Sequence, residues 1–218
     1  MRIGVLGATG PAGSGLAARL ASVGYDVIVG SRSLERAGGV RDEILGRWPD
    51  HRLGIEAAEN AGAAEADIVV VATPWDGAST TVEALASQLE GKVVISMANA
   101  LTKIGRDFQP LMPPRGSVAA NVQAAIPASR VVAAMHHLPA KELGDLAHPI
   151  GSDVLICSDH RSATEAASEL IAAMPDLRPL DAGSLSAAAP IEAFTAVLLQ
   201  LNVRYKTRAA VKLTGIEL

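Results

Sequence analysis

Gly7, Gly10 and Gly13 recur every three residues in Gly7-Ala8-Thr9-Gly10-Pro11-Ala12-Gly13. Such a run does chemistry through what its side chains leave out. Gly7 permits a tight turn, and Gly10 lets the backbone meet a pyrophosphate with no Cβ in the way. Gly13 lets a helix lie close on a strand. Thr9 and Ala12 complete the turn, and Pro11 suits a first helical position, where its missing N–H costs nothing. A helix beginning there aims free N–H groups and its positive dipole end at phosphate oxygens. The spacing is GxxGxxG, a variant of GxGxxG, and its meaning rests on the apolar strand before it and the helix after it. The competing reading is a glycine-rich turn with no ligand.

The second apolar run ends Val29-Gly30-Ser31-Arg32-Ser33. A site for NAD usually carries Asp or Glu here, to hold the ribose 2′-hydroxyl. This chain has none. Ser31 can donate to a 2′-phosphate, Arg32 can form a charge-assisted pair with it, and Arg36 follows one helical turn later. The trio predicts NADP(H) rather than NAD(H), against the plainer reading that both arginines are only solvated.

In a sheet of order 3-2-1-4-5-6 the nicotinamide lies over strands four to six. Their C-terminal ends read Thr73-Pro74-Trp75, Ser96-Met97-Ala98-Asn99 and Met135-His136-His137-Leu138-Pro139. Thr73, Pro74, Trp75, Met97, Asn99 and Pro139 are therefore expected at the cofactors, with Pro74-Trp75 as a flat apolar wall or else part of the core. His136 and the backbone around Leu138 are the expected catalytic groups; a core histidine is the alternative for His136. His136 and His137 are neighbours in an extended segment and should point to opposite faces, so no metal site is expected. Absences narrow the chemistry further. Tyr25 is followed by Val29 and Tyr205 by Ala209, so there is no Tyr-x-x-x-Lys acid pair, and HExxH is missing too. Reducing a carbonyl needs a proton donor at oxygen. Passing hydride between two stacked heterocycles needs less: close approach, and donors where negative charge gathers.

The elements that must position these residues alternate as in a doubly wound α/β sheet. Strands are expected at Arg2–Leu6, Asp26–Gly30, Leu53–Ile55, Asp67–Ala72, Lys92–Ser96 and Arg130–Ala134. Helices are expected at Pro11–Val23, Ser33–Trp48, Ala57–Ala66, Gly77–Leu89 and Ser117–Ala124. Asn99–Gly116, with three prolines, reads as a long irregular connection. The rhythm then changes: Pro139–Leu146, strand Val154–Cys157, helix Ser162–Ala173, strand Leu177–Asp181, and a long apolar helix from about Pro190. The fold class expected is a Rossmann-type domain over 1–136 with a smaller C-terminal α/β lobe over 137–218. The bulk numbers agree. The 218 residues are 49% hydrophobic but only 3% aromatic, which implies a core of Ala, Val, Leu and Ile. A formal charge of -4 does not invite nucleic acid. Runs such as Ile68–Ala72 and Val197–Leu199 are too short for a bilayer, and no signal-peptide layout opens the chain. A single cysteine excludes an internal disulfide. A soluble cytoplasmic protein without membrane or nucleic-acid partners is expected.

With these residues in view the chain resembles the NADPH-dependent reductases of coenzyme F-420, the 8-hydroxy-5-deazaflavin. The resemblance rests on Gly7-Ala8-Thr9-Gly10, Gly30-Ser31-Arg32, Pro74-Trp75, and His136 with Pro139-Ala140. Its most specific part is Leu177-Arg178-Pro179-Leu180-Asp181-Ala182-Gly183 with Leu185-Ser186. Asn202-Val203-Arg204-Tyr205-Lys206, running on to Thr214-Gly215, also looks like bacterial members. The resemblance implies an oxidoreductase that moves hydride between NADP(H) and the deazaflavin coenzyme F-420, both rings stacked in one cleft, in a homodimer or higher homo-oligomer. It leaves two other classes to be separated by experiment: an NADPH-dependent flavin, ferric or imine reductase, and an NADPH-sensing binding protein. Three further expectations attach to it. The Arg178–Gly183 segment closes one wall of the cleft. Asp181 orients a donor or caps the following turn. Arg204, Arg208 and Lys212, four residues apart, form a basic helical ridge for an anionic tail or merely a solvated face.

Overall fold

Ile68-Val69-Val70-Val71 is apolar at every position, a run that only a strand covered on both faces can hide. In the computed structural model, which describes residues 1–216, this run is β4 (Ile68–Val71) at the centre of an eight-stranded sheet. Ile68 and Val70 join one cluster with Ile3, Val5, Leu16 and Leu20. Val69 and Val71 join another with Leu6, Val82 and Val122 on the opposite face. Each such aliphatic side chain contributes about 1.5–3 kcal/mol when fully buried, so two thin layers of Val, Leu, Ile and Ala replace aromatic residues.

β1 (Arg2–Leu6), β2 (Asp26–Ser31), β3 (Ile55–Glu59), β5 (Val93–Ser96) and β8 (Arg130–Ala133) run parallel with β4 in the order β3-β2-β1-β4-β5-β8. This is the 3-2-1-4-5-6 order expected. β9 (Ser152–Ser158) then pairs antiparallel with β8, and β10 (Leu177–Asp181) pairs parallel with β9 at the sheet edge. Residues after His136 therefore extend the same sheet; positions 217 and 218, the end of the expected C-terminal lobe, lie outside the described residues. α1 (Pro11–Ser22), α2 (Leu34–Arg47), α7 (Ala140–Leu143) and α8 (Arg161–Ala172) cover one face. α3 (Asn60–Ala63), α4 (Trp75–Glu83), α5 (Ala86–Leu89) and α6 (Val118–Ala125) cover the other. Ser33 and Ser117 cap α2 and α6 by accepting from Arg36 N and Ala120 N.

Three stretches differ from expectation. Ala57 and Ala58, read as helical, lie in β3, because register with Val29 and Gly30 of β2 outweighs alanine's small helix preference. Asn99–Gly116 is not irregular: β6 (Leu101–Ile104) and β7 (Asp107–Pro110) form an antiparallel hairpin closed at Gly105, whose φ is 61°. The last helix, α9 (Ala188–Tyr205), stops at Lys206 in the left-handed region. Arg208 and Lys212 are consequently not on it, and no helical ridge forms. Arg208 pairs with Glu142, and Lys212 lies 3.8 Å from Asp153. The short-run argument about membranes also needs revision: Leu185–Tyr205, 21 residues with an 18-residue window of mean hydropathy 1.2, is long and apolar enough to span a bilayer by length and composition. Glu192 lies within it, and its carboxylate accepts from Val118 N at 2.8 Å and Ala119 N at 3.1 Å, bracing the first turn of α6.

Candidate active site

The three glycines of the turn meet different surroundings. Gly7 has φ 69°, and a Cβ there would lie 2.6 Å from Thr73 Cγ2. At Gly13 a Cβ would meet Ala8 Cα at 2.8 Å, so the glycine sets how closely α1 rides over β1. At Gly10 a Cβ would find no atom within 4 Å. That open space faces the start of α1, whose N-terminus has no side-chain cap and no acidic residue in its first turn. Uncapped N–H groups beside a glycine-lined space fit a pyrophosphate. Asn60, which sequence reasoning missed, accepts from Gly7 N at 3.2 Å and fixes the turn from the far side of β2.

Gly7, Thr9, Ser31, Arg32, Arg36 and Thr73 line a groove of about 400 Å³, with Pro74 at its rim. Ser31 is buried at the end of β2, whereas Arg32 and Arg36 stand exposed and, among the described residues, neither is held in an ion pair. Thr73 Oγ1 is buried with no hydrogen-bond partner. The groove thus offers free donors and two unspent positive charges, suited to an adenosine 2′-phosphate. Trp75 lies elsewhere. As the first residue of α4 it packs on the apolar cluster of Leu6 and Val82 and lines neither the groove nor the cleft described next.

A second cavity of about 440 Å³ opens between the ends of β5 and β8 and one face of α9, one strand along the sheet from the groove at β1, β2 and β4 and sharing no lining residue with it. Met97, Asn99, His136, Leu138 and Pro139 line it, and so does Ala12, which was expected at the pyrophosphate turn. Thr195, Leu198, Leu199 and Asn202 close it from α9; their spacing of three or four was the one signal that could have announced them. Pro11 faces a neighbouring groove of about 530 Å³ between α1, α2 and α7 instead. Residues 177–183 line neither the groove nor the cleft. β10 lies at the far edge of the sheet, and Arg178 there donates to Asp153 (2.9 and 2.7 Å), Leu213 O (2.6 Å) and Ile216 O (3.0 Å), anchoring the C-terminal segment. The guanidinium of Arg178 also holds the Asp153 carboxyl below the usual carboxylate range. Asp181 caps: its carboxylate accepts from Gly183 N at 2.8 Å.

His136 is 4% exposed, and both ring nitrogens lack a partner. Burial, reinforced by the adjacent His137, pushes its pKa down to about 3; burial alone brings His137 to about 4. Both imidazoles are neutral at physiological pH. They do not point apart as an extended segment would require. Met135 has φ 63°, which breaks the strand just before them, and the two rings lie 5.3 Å apart at 32°. His137 Nε2 accepts from Leu155 N at 3.4 Å. Leu138 N, expected as a donor to the reacting ring, is turned to Met135 O at 3.2 Å, so Leu138 offers the cleft its side chain only. A left-handed residue of this type costs about 1–3 kcal/mol and persists where its surroundings hold it.

The third wall of the cleft is Pro139-Ala140-Lys141, and a buried cation fixes it. Arg19 of α1 is 3% exposed. It donates to Leu143 O (3.2 Å), Glu142 O (2.7 Å), His148 O (3.0 Å) and Asp145 O, meeting the orphan carbonyls at the end of α7. Gly15 permits the contact, since a Cβ there would sit 2.8 Å from Gly144 N.

Comparison with known proteins agrees with this geometry. A family model described as NADP oxidoreductase coenzyme F420-dependent matches residues 2–100. The F420-dependent NADP reductase of Methanocaldococcus jannaschii is 36% identical over 229 residues, with 100% of each chain covered. That of Methanothermobacter marburgensis is 34% identical, with 99% of each covered. Among solved structures, a chain from Arthrobacter sp. FB24, provisionally designated an F420-dependent NADP-reductase, superimposes with a TM-score of 0.77 at 25% identity, covering 94% of this chain and 95% of that one. These full-length relationships place the chain in the coenzyme F420-dependent NADP oxidoreductase family.

Proposed function

We propose that this protein transfers hydride between NADP(H) and the deazaflavin coenzyme F-420, using the groove and the cleft as adjoining halves of one active site. The observation that carries the reading is an apolar cleft at the ends of β5 and β8, next in strand order to the groove at β1, β2 and β4, with a neutral imidazole and no acid–base pair in it. NADP(H) gives up or accepts the hydride at its nicotinamide, with the deazaflavin as the other party. Gly7, Thr9, Gly10, Pro11, Ala12 and Gly13 form the turn that receives the pyrophosphate. Ser31, Arg32 and Arg36 hold the 2′-phosphate, and Thr73 and Pro74 border the same groove. Met97, His136, Leu138 and Pro139 shape the cleft and exclude water from it. The neutral ring of His136 packs at the cleft wall without adding charge.

We read residues 137–216 as the part that closes this cleft, and the protein as a cytoplasmic homo-oligomer with small-molecule partners and no nucleic-acid or membrane role. Phe194, Val197 and Leu201 stand exposed on α9, opposite its cleft-lining face, and a second copy of the chain would cover them. Sedimentation with and without Val197→Glu tests that pairing. Loss of NADPH absorbance on mixing the protein with the deazaflavin, and separately with FMN, tests the activity. Turnover with the deazaflavin alone supports the proposal. Turnover with FMN indicates a flavin reductase, and turnover with neither, despite NADPH binding, indicates a sensing protein.

A further inference from the structure

The side chain of Asn99, expected to touch a cofactor and lining the cleft, is also tied to the protein on two sides. Its Nδ2 donates to the His136 carbonyl at 2.5 Å, and its Oδ1 accepts from Thr195 Oγ1 at 3.3 Å. One planar amide thus joins the end of β5, the end of β8 and helix α9, the three elements that bound the cleft. An amide offers the donor that a carbonyl needs and the acceptor that a hydroxyl needs on one planar group. The carbonyl it grips follows directly on Met135. Of the described non-glycine residues with positive φ, Asp176 and Lys206 are exposed, whereas Met135 is 1% exposed at the cleft. Left-handed backbone at a long, buried side chain survives where neighbours over-determine it. Leu138 N, bonded to Met135 O, fixes the turn from inside, and Asn99 fixes it from outside.

We propose that Asn99 is a positioning residue for hydride transfer: through the His136 carbonyl and Thr195 it holds the Met135–Leu138 turn and α9 at the separation that two stacked rings require. The proposal rests on the functional reading above and adds to it a residue that acts without touching either ring. Small displacements matter here, because a misplacement of about 1 Å can slow such a reaction by roughly 10²-fold.

The test uses the full chain with Asn99→Ala, Thr195→Val and Thr195→Ser, alone and as Asn99→Ala/Thr195→Val. Asn99→Ala should lower kcat by about 10- to 100-fold, with the KM for NADPH little changed. Thr195→Val should lose part of that rate and Thr195→Ser should keep it. The double variant should be no slower than Asn99→Ala, since both act through one network. Backbone hydrogen exchange at residues 136–138 should quicken in Asn99→Ala while β1, β2 and β4 stay protected. A raised KM at unchanged kcat would make Asn99 a ligand contact and overturn the proposal. Slowing matched by lost protection throughout the sheet would reduce it to a structural role and overturn it equally. If Asn99→Ala does not fold, Thr195→Val and Thr195→Ser decide in its place, and equal rates for those two would overturn the proposal. The exchange measurement needs no turnover, so a wild-type protein that passes no hydride would sink the functional reading while exchange still judged the turn.

Discussion

Three glycines in one turn should respond to substitution in different ways, and the structure fixes the direction for each. In Gly7→Ala an L-residue is forced to φ 69°, worth roughly 1–2 kcal/mol. Its Cβ, 2.6 Å from Thr73 Cγ2 and 2.9 Å from Thr73 Cα, adds overpacking of about 1–3 kcal/mol. The sum, about 2–5 kcal/mol, corresponds to a fall in Tm on the order of 10 °C for a chain of this size. Gly13→Ala meets backbone at 2.8 Å but gains up to about 1 kcal/mol of helix preference, so its loss should be smaller. The Cβ of Gly10→Val meets nothing within 4 Å, and this variant should melt close to wild type. Ligand reverses the ranking. NADPH at about 100 times its Kd stabilises by roughly 2.7 kcal/mol, and wild type, Gly7→Ala and Gly13→Ala should all show the resulting rise in Tm. Gly10→Val should show none, because its side chain fills the space kept for the pyrophosphate. Thermal scans of the four proteins with and without NADPH provide the assay. A Gly10→Val protein that keeps the NADPH shift, or a Gly7→Ala protein as stable as wild type, would refute the division of labour.

Arg32→Ala should remove most of an NADPH-over-NADH preference of at least about tenfold, since a charge-assisted hydrogen bond contributes roughly 1.5–3 kcal/mol; equal losses for both nucleotides in titration would refute the assignment. His136→Phe should retain most of the turnover, and the wild-type rate should not titrate through an imidazole between pH 5 and 8, because burial has taken that pKa down to about 3. A large loss of rate in the Phe variant at unchanged affinities would make the imidazole a necessary donor. Burial lifts the Glu192 carboxyl to about 7, so the folded protein holds that proton more tightly than the unfolded chain does. This contribution makes stability fall as pH rises from about 4.5 to about 7, whereas the depressed histidines cost stability as pH drops below about 6.5. The gap in Tm between Glu192→Gln and wild type should therefore move in favour of the variant across pH 5 to 8; a constant gap would contradict it.

What could be read from the sequence was local and periodic. The glycine turn, the Ser31-Arg32-Arg36 trio and the strand order follow from contiguous patterns, and they lie where those patterns put them. What escaped depends on distant partners. Asn60 sits in an Ala-rich stretch that reads as helix, and only the register of β3 on β2 brings it under Gly7. Arg178 sits in the most diagnostic string of the chain, and that string was credited to the cleft. Its job is set by Asp153, 25 residues earlier, and by the C-terminal segment. The basic ridge failed because regular spacing of Arg204, Arg208 and Lys212 implies a ridge only while the helix lasts, and Lys206 ends it. Pro74-Trp75 showed the ambiguity of an aromatic residue at a strand end: its partner was the core.

The knot around Arg19 gives the cleft an uneven response to its surroundings. Backbone carbonyls have no proton to gain at any pH the protein survives, and the cation they hold is buried, so the α1 side of the Pro139–Lys141 wall is little affected by acidity and ionic strength. The other side of that wall is tied down by Arg208 and Glu142, a pair whose side chains are 48% and 24% exposed. Links of that kind are screened by salt and contribute about 0–1 kcal/mol. One edge of the wall is thus held by backbone contacts to a buried cation and the other by an exposed ion pair. Added salt should therefore loosen the wall on its Arg208 side and leave the Arg19 side as it is.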